Sequence, residues 1–237
     1  MAEFDGFAGD YRALLDAQVG SAGYFADAKA AFLARRFGRA YEGKVLDFGC
    51  GVGLVSAAMQ SRWPACRLTG LDPSTESLAL AASALPRPAR LIAALEEAGA
   101  GFDLIVVSCV LHHIPPSDRA ATVRALAARL SPRGSLVVFE HNPANPLTRR
   151  VVATCPFDEG VTLLWPGETR RWLRSAGLRR VDLAYISFVP PQLAPLRPLE
   201  GLLAGLPVGG QYAMVGRFPA AGRGAVAAAR AATGEAQ

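Results

Sequence analysis

The stretch VLDFGCGVG, Val45 to Gly53, constrains the fold of this chain more than any other. Val45 and Leu46 close a short apolar run of the kind that forms a buried parallel strand. Gly49, Gly51 and Gly53 then let the backbone turn tightly and approach a ligand where a Cβ would intervene. Beyond them Leu54, Val55, Ala58 and Met59 recur at helical spacing, so the loop feeds a helix whose N-terminal N–H groups point at whatever is bound. A strand, a glycine turn and a helix in this order predict an α/β sheet with a ligand beside this loop.

The glycines do not spell a dinucleotide fingerprint. Counted from Gly49 the third glycine position is Leu54, and counted from Gly51 it is Ser56. Asp47 at the strand tip would repel a pyrophosphate but suits a ligand that brings an ammonium group, as S-adenosylmethionine does. A second strand, Arg67 to Leu71, ends in Asp72-Pro73-Ser74, which places an acid about 20 residues downstream, where a carboxylate accepts the hydroxyls of a ribose. That acid serves a nicotinamide cofactor equally well. Asp47 and the missing glycine therefore decide for S-adenosylmethionine over a nicotinamide-dependent oxidoreductase; a non-catalytic cofactor-binding protein is the other alternative.

VLDFGCGVG, TGLDPS at 69–74, FDLIVVSCVLHHIP at 102–115 and LSPRGSLVVFE at 130–140 resemble, in order and spacing, the four motifs of class I S-adenosylmethionine-dependent methyltransferases. The similarity spans roughly residues 21–218. It implies an α/β, doubly wound, mostly parallel seven-stranded sheet of order 3-2-1-4-5-7-6, strand 7 antiparallel, with helices on both faces. It also implies S-adenosylmethionine as cofactor and S-adenosylhomocysteine as product. Carried over to matching positions, it places Asp47, Gly49, Cys50, Gly51, Asp72, Pro73, Ser108 and Cys109 around the cofactor, and Tyr24 and Phe25 in an N-terminal cap over it. The acidic residue that the family often uses for the adenine is absent from Leu91-Ile92-Ala93-Ala94-Leu95, which leaves backbone and apolar packing at Ala93 and Ala94 for that role.

The charge, 25 Lys and Arg against 20 Asp and Glu, is scattered rather than clustered, so no nucleic-acid partner is expected. Cys50, Cys66, Cys109 and Cys155 lack C-x-x-C spacing and read as reduced thiols of a cytoplasmic protein. No apolar run approaches the ~18 residues of a membrane span, and the N-terminus has no signal-peptide pattern. The expected partners are a small-molecule acceptor, possible apolar character included, and at most a second copy of the chain.

Residues 1–40 are read as a helical cap, 41–218 as the methyltransferase domain and 219–237 as a flexible tail. In the cap, Phe4, Phe7, Tyr11, Leu14 and Leu15 follow helical spacing, and Phe25, Ala28, Phe32 and Leu33 share a face of a helix from Tyr24 to Phe37. Lys29, on the adjacent face, reads as a solvated charge. Strands and helices then alternate, as in a parallel sheet. Val123, Leu126, Ala127 and Leu130 form one helix face, and Pro132-Arg133-Gly134 a turn. In Pro190 to Gly210, Leu196, Leu199, Leu202, Leu203 and Leu206 suit one helix face. That face is read as a lid or pocket wall, with a dimer surface or a membrane contact as alternatives.

Methyl transfer requires two partners held in line and water excluded, with a base only where the acceptor keeps its proton at neutral pH. Ligands of open α/β sheets lie at the carboxyl ends of the strands. After the fourth strand, His113 is a candidate for catalysis or for substrate contact. His112 and His113, as neighbours on a helix, should diverge, and no third ligand has recognisable spacing, so no metal is expected. After the fifth strand comes EHNPANPLTRR, where Glu140 and His141 are candidates for deprotonating a hydroxyl or amine, and Asn142, Asn145 and Arg149 for holding the substrate. This segment with CPFDEG at 155–160 resembles a subgroup of bacterial methyltransferases, some associated with glycan or lipid assembly. The expected function is methyl transfer to an O, N or C nucleophile of a small molecule, in secondary metabolism or in glycan or lipid modification.

Overall fold

The structure, a computed structural model, describes residues 22–158 and 160–219. The expected helix around Phe4 to Leu15, and all of the tail except Pro219, lie outside them. A helix α1 (Ala22–Phe37) precedes β1 (Lys44–Phe48), α2 (Leu54–Arg62), β2 (Arg67–Leu71), α3 (Thr75–Ala84) and β3 (Arg90–Ile92). Then follow β4 (Phe102–Ser108), α4 (Pro116–Ala127), β5 (Leu130–His141), α5 (Pro146–Ala153), α6 (Pro166–Ser175), β6 (Arg180–Ile186), a short α7 (Glu200–Leu203) and β7 (Gln211–Arg217). The sheet has seven strands in the order β3-β2-β1-β4-β5-β7-β6, with β7 antiparallel to both neighbours, as the sequence predicts.

The central strands are apolar on both faces because both are covered. Leu104 and Val106 of β4, Val137 and Phe139 of β5 and Ala213 and Val215 of β7 pack with Leu33 of α1 and Met59 and Trp63. Their neighbours Ile105, Val107, Leu136, Val138, Tyr212 and Met214 face the other way, against Val123 and Leu126 of α4 and Leu173 of α6. The period of two along each strand distributes alternate residues to the two layers. α1 belongs to the core: Leu33 is fully buried and Phe32 meets Phe139 edge-on at 5.7 Å between ring centroids.

Three local expectations are corrected. Leu130 does not continue the helix face of Val123, Leu126 and Ala127; α4 ends at Ala127 and Leu130 begins β5. Pro132-Arg133-Gly134 lies within β5 rather than forming a separate turn, and the pairing with β4 shifts register there, from Phe102 opposite Leu130 to Leu104 opposite Ser135. The segment after β6 is not one amphipathic helix either. A 3₁₀ stretch from Pro191 to Leu199, irregular at Leu193, precedes the single turn of α7. Pro195 and Pro198 lack the N–H that an α-helix needs. Leu193, Leu196, Leu199, Leu202 and Leu206 consequently face solvent instead of lining an enclosed pocket.

Candidate active site

β1 delivers Asp47 to the sheet's carboxyl end and the glycine loop folds back over it. The amides of Gly49 and Cys50 both donate to the Leu71 carbonyl, at 2.8 and 2.9 Å, which ties the loop to β2. The glycines have different jobs. At Gly49, with φ +73°, a Cβ would lie 2.4 Å from Val110 Cγ2, so this position serves packing, whereas Gly51, with φ +51°, faces open space. A ligand can approach the backbone there. Asp72 at the end of β2 takes the Gly51 N–H on Oδ2 at 2.8 Å and the Ser74 N–H on Oδ1 at 2.9 Å, which holds loop and acid in one frame.

Asp47 is fully buried. Its Oδ2 accepts from the Ser56 hydroxyl at 2.6 Å, and its Oδ1 has no partner. Burial raises its pKa to about 6, against the opposing effects of Ser56 and the Lys29 charge. Lys29 is buried, contrary to the solvated charge expected; its ammonium donates to Ser108 Oγ at 2.8 Å and to Cys109 Sγ at 3.5 Å. Cys109 has φ +56°. Burial opposes ionisation of its thiol, but Lys29 and His141 bring its pKa down to about 7. An unpaired buried carboxylate oxygen, an open glycine face and an acid at the second strand fit the ammonium, the methionine portion and the ribose of S-adenosylmethionine.

The other candidate cofactor contacts are more mixed. The Ala94 N–H is taken by Glu97 Oε1 at 3.0 Å, which caps the turn Leu95–Ala98 and removes that donor from any adenine contact; Ala93 is exposed. The Cys50 thiol is buried and kept protonated by that burial and by the nearby carboxylates. Pro73 is exposed beside Asp72. Tyr24 donates its hydroxyl to the Val189 carbonyl at 2.7 Å, lies under the Arg197 guanidinium and meets Phe25 edge-on, so this pair clasps α1 to the segment after β6.

β4 and β5 are adjacent, so the residues that follow them emerge together. The chain has three histidines, and all three converge on Asp158. His112 Nε2 lies 3.3 Å and His113 Nε2 3.5 Å from its Oδ1, and His141 Nε2 lies 3.9 Å from its Oδ2. Behind them Glu140, fully enclosed, receives His112 Nδ1 at 2.5 Å on one oxygen and the Leu111 N–H at 3.0 Å on the other. Glu140 is therefore a support for His112; the carboxylate beside His141 at the site is Asp158. Burial works against a charged His112, but Glu140 and Asp158 raise its pKa, and the pair holds Glu140 below the usual carboxylate range. Burial and the His112 charge lower His113 to about 4. His141 is raised against its burial, chiefly by the Cys109 sulfur, and Asp158 is lowered against its burial by His112 and the other imidazoles.

His112 and His113 do not diverge as neighbours on a helix would. They occupy a tight turn, Leu111–His113, with ring centroids 4.2 Å apart, and Asp158 supplies the third group that sequence spacing does not reveal. The asparagines are used by the fold itself. Asn142, fully buried, donates to the carbonyls of Pro207 and Gly209 at 3.0 and 2.8 Å and accepts from the Ala144 N–H at 3.1 Å. Asn145 caps α5 through the Thr148 N–H and donates to the Val208 carbonyl. Asn142 is not left for a substrate, since both of its amide donors are consumed within the chain, whereas Asn145, only partly buried, has one N–H engaged at Val208. Arg149 and its neighbour Arg150 are exposed and line a cavity of about 790 Å³, which Asp158 also borders, with Pro146, Cys155 and Leu163.

Lys29, His112 and Asp158 were visible in the sequence as a surface charge, one of a histidine pair and an acid that either faces the pocket or caps a turn, but not as parts of one cluster; Gln211, whose amide donates to Cys109 Sγ at 3.4 Å, was not singled out. The signal for the cluster was present: every histidine lies at or just after the end of one of two strands that the sheet order implied by the resemblance makes neighbours.

Residues 22–184 match the family described as "Methyltransferase domain". The chain belongs to that family. Among curated relatives of this methyltransferase are trans-aconitate 2-methyltransferases, that of Escherichia coli K12 being 38% identical over 96 residues and that of Azoarcus 36% identical over the same length. These matches cover 40% of this chain and 37% of the relatives' own length. Among solved structures, a SAM-dependent methyltransferase from Archaeoglobus fulgidus superposes with a TM-score of 0.66 at 14% identity, covering 87% of this chain and 99% of the other. Magnesium protoporphyrin IX methyltransferase from Synechocystis with bound SAH gives 0.63 at 16% identity, covering 91% and 96%. At such identities the likeness concerns the fold alone. Among the described residues no helix is long and apolar enough to cross a membrane.

Proposed function

We propose that this methyltransferase transfers the methyl group of S-adenosylmethionine to an oxygen of a small acceptor that carries a carboxylate or similar anionic group. The observation that carries the reading is the cavity in which Arg149 and Arg150 stand on the wall of α5 while Asp158 of the histidine cluster borders the same space. Two guanidinium groups at a cavity mouth recognise an acidic group, and Arg does so with directional paired donors. The relatives named for trans-aconitate, an acidic molecule, support the same class of acceptor.

When bound, S-adenosylmethionine supplies a methyl group on a sulfonium, open to in-line displacement. Asp47, Gly51, Asp72 and Lys29 are the residues that would hold it. His141 takes the proton of the acceptor hydroxyl; its imidazole lies between Cys109 and Asp158, both of which stabilise the imidazolium that results. Glu140 acts one step back as a positioning residue for His112.

The test is a panel of small hydroxylated mono-, di- and tricarboxylates assayed with S-adenosylmethionine, repeated on the variant Arg149→Ala/Arg150→Ala. The expected result is transfer to carboxylate-bearing acceptors, with KM raised tenfold or more in the variant and S-adenosylhomocysteine affinity unchanged. Transfer confined to uncharged acceptors, or a variant with wild-type KM, overturns it.

A further inference from the structure

We propose that His112, His113 and Asp158 form a binding site for one divalent first-row transition metal ion, with a coordination position turned toward the acceptor cavity. Two ligands held about 2.0–2.1 Å from one ion at a tetrahedral angle stand about 3.4 Å apart. The His112 Nε2 and His113 Nε2 distances to Asp158 Oδ1 are 3.3 and 3.5 Å, and the three donor atoms lie within 4.8 Å of one another. Two imidazoles and one carboxylate form a donor set that catalytic zinc and non-haem iron sites both use, leaving further positions for water or substrate.

The support around the ligands has the form a metal site requires. A metal-bound imidazole generally donates its other N–H to a carboxylate, which fixes the ring and raises its basicity. His112 is held in this way, with Nδ1 on Glu140 Oε2 at 2.5 Å and the other Glu140 oxygen fixed by the Leu111 N–H. Asp158 is placed by the turn Pro156–Asp158, whose last N–H is donated to the Cys155 carbonyl at 3.0 Å. Because Asp158 also borders the cavity with Arg149 and Arg150, an ion held by it would stand at the edge of that cavity, where it could supply Lewis-acid polarisation to an acceptor oxygen. His141 Nε2 lies on the other side of the same carboxylate, 3.9 Å from Asp158 Oδ2. The inference does not depend on which molecule is methylated.

The experiment uses the full chain without an affinity tag, so that these three imidazoles are the only ones present. The protein is stripped with a chelator and titrated with Co²⁺, then Zn²⁺. Wild type is expected to take up one equivalent with visible d–d absorption, and Zn²⁺ to displace the Co²⁺. His112→Ala and Asp158→Asn are expected to abolish the spectrum, and Glu140→Gln to weaken Zn²⁺ affinity about 10–100-fold, with all three direct ligands retained. Failure of folded wild type to bind either ion at about 100 μM overturns the site irrespective of how the variants fold. So does a Co²⁺ spectrum unchanged in folded His112→Ala and Asp158→Asn, or one dominated by sulfur-to-cobalt charge transfer, since the ion then sits on cysteines. None of these measurements involves methyl transfer, so an incorrect acceptor class leaves them unaffected.

Discussion

Ser56 donates its hydroxyl across the glycine turn to one oxygen of Asp47 at 2.6 Å, while the other oxygen of the same buried carboxylate is without a partner. A cofactor ammonium on that oxygen favours the ionised acid, so binding is linked to deprotonation. With the folded pKa raised to about 6, the ionised form dominates above that value and the protonated form below it. S-adenosylhomocysteine affinity is therefore expected to be flat between about pH 7 and 7.5 and about tenfold weaker at pH 5. Calorimetry across this range checks it. Asp47→Asn should bind more weakly at pH 7.5 and lose the pH dependence; an unchanged profile in the variant removes Asp47 from cofactor binding.

The same group sets a stability trend in the ligand-free protein. Because the folded pKa lies above the ordinary value of 3.8, Asp47's contribution is fully present below pH 3.8 and is lost as pH rises through about 6. Wild type should thus gain less stability than Asp47→Asn between pH 5 and 7, by an amount on the order of 1–2 kcal/mol. Thermal melts of both proteins over this interval give the difference.

Lys29 connects Asp47 to the histidine cluster, since its ammonium reaches Ser108 and Cys109 and its charge acts on Asp47. Lys29→Met keeps most of the apolar stem and removes the charge. The midpoint of the pH dependence of S-adenosylhomocysteine binding should then move upward, because an opposing charge no longer assists Asp47 ionisation. The Cys109 thiol should also become less acidic, which a thiol-reactive probe followed against pH reports.

The alternation of strands and helices and the glycine turn were legible because they depend on local signals, apolar runs and breaks at glycine, whereas the strand order followed only from the resemblance of the four motifs to a known family. Asp47 and Asp72 could be nominated from sequence because each stands at a fixed place in its own motif, at the tip of β1 and just after β2. His112 and Asp158 are 46 residues apart and meet only after β5 has paired with β4 and the chain has returned through α5. Asn142 illustrates the opposite error. Its place beside His141 made it a candidate for substrate contact, but the carbonyls of Pro207 and Gly209 that consume its amide come from a distant segment.

That reassignment has its own test. Asn142→Ala deletes three hydrogen bonds, one fully and two partly buried, and leaves the carbonyls of Pro207 and Gly209 without their donor. Each unsatisfied buried group costs about 1–3 kcal/mol, so a loss of about 2–4 kcal/mol is expected in chemical denaturation. The KM for acceptor of the folded fraction should stay at the wild-type value. A raised KM with stability unchanged would return Asn142 to the substrate site.

The segment between β6 and β7 is held by polar contacts rather than by its leucines. Glu200 is buried and its Oε1 accepts the N–H groups of Phe188 and Val189, both at 2.9 Å, while Arg197 pairs with Asp27 of α1 at 2.9 Å and the Tyr24 hydroxyl reaches the Val189 carbonyl. Leu202, by contrast, is 83% exposed. Glu200→Ala should therefore destabilise by about 1–3 kcal/mol, because two backbone donors lose a charged acceptor, whereas Leu202→Ser should lie within about 0.5 kcal/mol of wild type. Denaturation of the two variants side by side reads the contrast directly. Were Leu202→Ser the more damaging, its side chain would have to be buried in solution, against another copy of the chain or against residues beyond those described, and sizing of the wild type at several concentrations would separate these two cases.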